Sequence, residues 1–419
     1  MTLIDNSHLR KILLLPLLLL FLQGCSDKEN SNENDFIYIS EAQVISHQGA
    51  EITVDNFARI IKVFLKAGEN ISSVEIRLIL ANGVSMVQPS APTAVYDLST
   101  EVTIRMDKNG KRADFKLVAY LESAPIDISD NWEQSHSFGQ LPDYLSVYQY
   151  REKDSGKRIK ALIAVADIHP SKGTFKILGE KTGSKTPDKF YTDNSRPAIV
   201  LNGGFFWSGT SLGLIIRDGV TLSHAQPVVN RDYQGVLTPY YPTQGAFGME
   251  KDGTFSARWV YESSSMLYAY PNPSPNKVGE QPQPVPSATF PAGASRWQPV
   301  EAIGAGPLLI KNGEYKNLWE NELFDEASGV GPRANHPRSA IGYHPDGYLV
   351  FFACEGRNKT PNTPGLNLEE VANLLLEIGC TEAINLDGGG SSCLLINGKE
   401  AIIPSDNTQR AITNAVAIY

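Results

Sequence analysis

The segment NLEEVANLLLEIGCTEAINLDGGGSS, residues 367–392, carries the pattern from which the fold is read. Asn367 stands as a helix N-cap with Glu370 three residues on, a variant of the capping box. Leu368, Val371, Leu375 and Ile378 mark one apolar face, and Gly379 closes the helix. A short buried strand, residues 383–386, then runs straight into Asp387, three glycines and two serines. A tight turn needs one or two glycines; three let bare backbone come close to a bound group and offer N–H donors to an anion. A β-bulge or flexible hairpin is the alternative that composition leaves open. No Gly-Lys-Ser/Thr follows, which excludes a phosphate loop of the Walker type.

Working outward, residues 161–167, 198–201, 302–303 and 348–353 read as buried strands, with few helices among them. The expected fold class is therefore α+β, a mixed-sheet domain over residues 125–419. Residues 36–124 differ: short alternating strands at 36–39, 59–65, 74–80, 102–106 and 115–121, separated by turns, predict a small all-β sandwich. No chemistry is visible in it, so it reads as a spacer or a carbohydrate-binding accessory. The proline-rich stretch 271–293 predicts a long loop: a lid, a binding loop or a disordered segment. Asp218-Gly219, Asp252-Gly253, Asn312-Gly313, Asp346-Gly347 and Asn397-Gly398 read as hairpin turns.

The first residues read as an address. Arg10 and Lys11 precede an apolar run from Ile12 to Leu22, too short to span a bilayer, which needs about 20 such residues. Leu22, Gly24 and Cys25 then resemble a bacterial lipoprotein cleavage box, so residues 1–25 are expected to be a signal peptide and Cys25 the lipidated residue. Polar residues 26–35 suit a tether. The expected location is the cell envelope, at the outer membrane rather than the inner because Ser26, not aspartate, follows the cysteine. A net charge of −9 without a basic run argues against nucleic acid, and any phosphate must be held by local groups. Cys354, Cys380 and Cys393 lack zinc-site spacing and read as small buried residues with room for one bridge.

Other segments repeat the pattern of a polar or glycine cluster at a strand end. Asn202, Gly203 and Gly204 offer an amide and close backbone approach for sugar hydroxyls or phosphoryl oxygens, and Phe205, Phe206 and Trp207 offer a flat surface for a pyranose. Gly304–Leu309, Arg338–Gly342 and Glu355–Arg357 complete the set. In this order the segments resemble the phosphodiester glycosidase family over roughly residues 141–419. Asn202–Phe206 is similar to the family's Asn-Gly-Gly-Phe-Phe, Gly306–Leu309 to its Gly-Pro-Leu-Leu, and Leu386–Ser391 to its Leu-Asp-Gly-Gly-Gly-Ser. Arg338–Gly342 differs from the family's Arg-Thr-Ala-Ile-Gly by Ser339, and Glu355–Arg357 from its Asp-Gly-Arg by Glu355.

The resemblance implies hydrolysis of a sugar-1-phosphodiester, of the N-acetylglucosamine-α-1-phosphodiester kind, at the anomeric carbon. Positive charge then builds on the sugar and negative charge on the departing phosphate. Asp387 and Glu355 are the expected carboxylates, as nucleophile or base, by analogy with paired-carboxylate glycosidases; for Glu355 a salt bridge to Arg357 is the alternative. Arg338 is expected to grip the phosphate through its two parallel donors. His336 and Arg410 are further phosphate candidates, with a surface ion pair as the alternative for Arg410. Gly388, Gly389, Gly390, Ser391 and Ser392 complete the cradle. No cofactor is required, although Asp387 and nearby carbonyls are compatible with calcium or magnesium. The substrate partner is a sugar phosphodiester or phosphoglycan. Two rival readings are a non-catalytic polysaccharide-binding surface lipoprotein and a phosphodiesterase that breaks the P–O bond, which usually gathers Asp and His around two metals.

Overall fold

The computed structural model describes residues 37–66, 68–121, 126–152, 157–169 and 172–419. The leader, Cys25 and the tether lie outside the described residues. Among those described, no helix is long and apolar enough to cross a membrane.

The fold is α+β, with strands in several sheets and, among the described residues, two α-helices, Pro187–Asp193 and Leu368–Glu377. The sheets are mixed over the chain as a whole. Ile60–Leu65 pairs in parallel with Lys111–Leu121, whereas the ladders between residues 132 and 418 run antiparallel.

An eight-stranded sheet forms the frame of the larger region. At its centre Glu382–Asn385, Arg338–His344, Tyr348–Cys354 and Ala161–Asp167 lie side by side. Alternation along each strand gives the sheet two apolar faces. Ile341, Phe351 and Ala164 point into a core shared with the other sheets. Ala340, Phe352 and Ile163 point to the side where Val371 and Leu375 of Leu368–Glu377 pack. That helix has a complete capping box: the Asn367 side chain accepts from the Glu370 N–H, and Glu370 accepts from the Asn367 N–H. Gly379 follows at φ +89°, where a side chain would be strained.

Two further sheets pack on the shared core. In a five-stranded sheet, Asn414–Ile418 lies between Phe175–Gly179 and Ile199–Asn202. In a seven-stranded sheet, Glu301–Ala305 lies between Ile215–Arg217 and Gln244–Met249. The five Asp/Asn-Gly pairs sit at hairpin turns, each with its first residue or its glycine at positive φ. Residues 271–293 form a largely exposed loop anchored at several points: Ser274 and Asn276 are buried, the Tyr240 hydroxyl donates to the Glu280 carbonyl, and the Tyr270 hydroxyl to that of Ser287.

Residues 38–117 carry a core of their own, shared by a three-stranded and a five-stranded sheet and including Ile61, Val63, Ile76, Ile104 and Phe115. Its first strand is Ile39–Val44, displaced toward the C-terminus from the expected 36–39. Where it meets the larger region, His169 stands edge-on to the stacked rings of Phe64 and Tyr120, at 5.4 and 5.9 Å.

Candidate active site

Asp387 stands where three strand ends meet. Its N–H donates to the Gly203 carbonyl and the Leu386 N–H to that of Ser339, both at 2.9 Å. Its own carbonyl accepts from Asn202 Nδ2 at 2.6 Å. Asn202 is fully buried, and its Oδ1 accepts from Ser339 Oγ (2.6 Å) and the Cys393 N–H (3.1 Å). This one amide ties two sheets together beneath Asp387, so the expectation that it touches substrate is corrected: it positions. Ser339 keeps the hydroxyl of the family's threonine, which is the group used.

Gly203 and Gly204 are also corrected from ligand contacts to close-approach residues. Their N–H groups go to the Asn414 carbonyl (3.0 Å) and Asn414 Oδ1 (2.6 Å). A Cβ on Gly204 would lie 2.1 Å from the Gly304 carbonyl oxygen. The glycines after Asp387 make room differently. A Cβ on Gly389 would meet Arg357 at 2.7 Å, and one on Gly390 would meet both Arg410 and Asp406 at 2.1 Å. A Cβ at either position would push these side-chain ends aside and so disturb the charged groups that lie against the backbone.

Two cavities meet at Asp387. The smaller, about 190 Å³, is floored by Gly388, Gly389 and Gly390 and walled by Arg338, Arg357, Arg410 and His336. Arg357 and Arg410 flank Asp406, at 3.5 and 2.5 Å, and Arg410 also reaches Ser391 Oγ. Arg410 is thus both an ion-pair member and a lining residue. Arg338 differs from expectation. It is buried, and it donates to the carbonyls of Leu366, Val330, Gly331 and Ala334 at 2.6–3.0 Å. Of a guanidinium's five N–H groups, four are thereby committed to holding loops, which rules out the two-pronged phosphate grip expected of it. Its charge has no carboxylate partner among the described residues, and burial lowers its pKa to about 10. Three guanidinium groups against Asp406 and Asp387 leave a local cationic excess, although the whole chain is acidic.

Asp387 is partly open to the cavities but largely removed from water. Burial pushes its carboxyl up to about 6, against the lowering effects of Ser391, the Gly388 N–H and Arg410. Ser391 is buried and acts through Asp387 and Arg410. Ser392 is buried with an unpartnered hydroxyl and lines neither cavity. His336 lines the smaller cavity, and burial, followed by the charges of Arg338 and Arg357, lowers its pKa and keeps it neutral at pH 7.

Glu355 is the clearest correction. Its Oε2 accepts from Thr360 Oγ1 (2.5 Å) and its Oε1 from the Ile403 N–H (3.2 Å), and it lines neither cavity. It clamps loops, and Arg357 pairs with Asp406 instead of with it.

The larger cavity, about 750 Å³, supplies the carboxyl that the sequence reading missed. Glu322 lines it, buried, and accepts from the N–H groups of Gly245 (2.9 Å) and Leu308 (3.0 Å). Burial pushes its carboxyl up to about 8, against the lowering effects of Trp259 and the Leu308 and Gly245 N–H groups. It sits in a segment with no periodic pattern, which gave no signal. Asn385 was also missed: buried, with Oδ1 unpartnered, it lines the smaller cavity. The signal for it existed, because a residue two before Asp387 in an extended chain shares its face. All three aromatics line the larger cavity, each in a different setting. Phe205 lies against Phe324 (5.6 Å), Phe206 packs partly into the core, and Trp207 is 77% exposed. All three cysteines are free and buried, so no bridge joins them. Among the described residues no three His, Cys, Asp or Glu side chains gather to hold a metal ion.

A pocket built on these strand ends and glycines defines a class: the phosphodiester glycosidase family model matches residues 195–419, more than half of the chain, and the protein belongs to that family. Among curated proteins it is 28% identical over 231 residues to the mouse N-acetylglucosamine-1-phosphodiester alpha-N-acetylglucosaminidase, covering 52% of this chain and 36% of the mouse protein. The human protein of that name is 28% identical over 219 residues, covering 50% and 34%. The chain thus spans about a third of the length of these relatives. The solved catalytic domain of the zebrafish protein of that name aligns with a TM-score of 0.45 at 20% identity, over 71% of this chain and 86% of that one.

Proposed function

We propose that this protein hydrolyses a sugar-1-phosphodiester at the anomeric carbon, with N-acetylglucosamine-α-1-phosphodiesters as the substrate class. The observation that carries the reading is the position of Asp387 at the junction of a cationic compartment and an aromatic-lined one. The phosphate occupies the small compartment against Arg357, Arg410 and the field of Arg338; the sugar occupies the large one beside Phe205 and Phe324. The C1–O bond breaks, the electron pair leaves with the phosphate, and water supplies the oxygen that ends on C1. Asp387, ionised above pH 6, faces the developing positive charge as nucleophile or base. Glu322, still protonated, donates a hydrogen bond to the sugar or to the bridging oxygen. The names of the mouse and human relatives support the same substrate class.

The test is release of N-acetylglucosamine from its α-1-phosphomethyl diester by purified residues 26–419, run in ¹⁸O-water. Label in the sugar and loss of turnover in Asp387→Asn are expected. Label in the phosphate supports P–O cleavage instead, and no turnover by the wild-type protein supports a binding role. Alongside this, we hold that the chain is exported and lipid-anchored through Cys25, a reading supported by the residues around it. Cys25→Ala should move the protein from the membrane fraction to the soluble one.

A further inference from the structure

The larger cavity is about four times the smaller, 750 against 190 Å³, and lies in the range of about 300–1,000 Å³ that holds ligands well beyond one sugar ring. Its inner end is chemical, with Asp387 and Glu322. The outer end has a different composition. Trp207, at the outer wall, is 77% exposed, on a two-residue strand whose turn, Ser208-Gly209, has positive φ at both residues. A tryptophan this exposed contributes little to the core; Phe206, next to it, makes the core contact. Gln226, Asn230 and Gln244 line the same cavity, and their side-chain amides have no hydrogen-bond partner among the described residues. Arg231, the outer cation, is neutralised by Asp325 at 2.7 Å and also donates to the Leu323 carbonyl.

From an uncharged trough with a free aromatic face and free amides, continuous with the reaction centre, we infer that the outer half binds further sugar units attached to the sugar that reacts. The substrate is then the reducing-end phosphodiester of a neutral oligosaccharide, with Trp207 stacking a ring remote from the cleaved bond. Indole faces suit the apolar faces of pyranose rings, amides pair with hydroxyls, and the absence of a free charge disfavours a polymer with phosphate at every repeat. This inference rests on the reading of Asp387 as the reaction centre, and its test separates the two.

In the binding arm, intrinsic fluorescence is titrated with N-acetylglucosamine and its β-1,4 dimer and trimer, using wild-type protein, Trp207→Ala and Asp387→Asn. Affinity should rise about tenfold from monomer to trimer in the wild type and in Asp387→Asn, and Trp207→Ala should lose most of that rise. In the kinetic arm, kcat/KM is measured for the mono- and trisaccharide α-1-phosphomethyl diesters. The wild-type preference for the trisaccharide should fall toward unity in Trp207→Ala. A wild type without length dependence, or a Trp207→Ala that keeps it, overturns the trough. If no diester is turned over but the binding arm behaves as expected, the hydrolytic reading fails and the trough stands.

Discussion

Asp387 and Glu322 differ in how far each is lifted from its ordinary pKa, and that difference sets a working window. In the proposed reaction Asp387 loses its proton near pH 6 to face the sugar, and Glu322 keeps its proton until about pH 8. The pH dependence of kcat/KM should therefore be bell-shaped between these limits, and Glu322→Gln should remove the alkaline limb. The same shift has a stability sign. The folded state holds the Asp387 proton more tightly than the unfolded chain, from 3.8 up to about 6, so stability falls as pH rises through that range. Asp387→Asn should be more stable than wild type at pH 7.5 by about 1–3 kcal/mol, with the gap closing toward pH 4. Arg338 calls for a different experiment. Lysine cannot reach the four carbonyls that its guanidinium holds, so Arg338→Lys should cost roughly 2–4 kcal/mol in urea unfolding, beyond any loss of activity.

At the scale of strands and turns, the site is a junction of chain ends held by amides, with little tolerance for an added atom. Gly204→Ala must displace the Gly304 carbonyl from 2.1 Å, and we expect a loss of about 1–3 kcal/mol by thermal unfolding together with a marked fall in kcat. At this level the sequence was most readable and also most misleading. The helix after Asn367 and the strand entering Asp387 were legible because capping chemistry and apolar period are local. The polar residues at strand ends were legible as a set, but not by role. Asn202, Arg338 and Glu355 have the residue types of ligand contacts, yet each is spent on other groups of the protein, near and far along the chain. Which partner a donor finds depends on tertiary approach, such as that of residues 330–334 to Arg338, and no spacing along the chain encodes it. Glu322 was illegible for the same reason: only the folded cavity desolvates it.

For the molecule as a whole, every residue lining the two cavities lies between Phe205 and Arg410, and residues 38–117 have their own core. A protein of residues 126–419 should accordingly retain kcat/KM toward small diesters, measured against residues 26–419. Removing the partner surface exposes His169 where it met Phe64 and Tyr120 and should lower Tm.

Asn414, which holds Gly203 and Gly204 in place, belongs to an interior strand of its sheet, more than two hundred residues after the glycines it secures. A ribosome delivers that strand after every residue that lines the two cavities, so the pocket cannot close around a ligand while the nascent chain is still growing toward residue 414. Premature termination upstream of that strand should then leave the Gly203 and Gly204 N–H groups without their acceptors and abolish turnover.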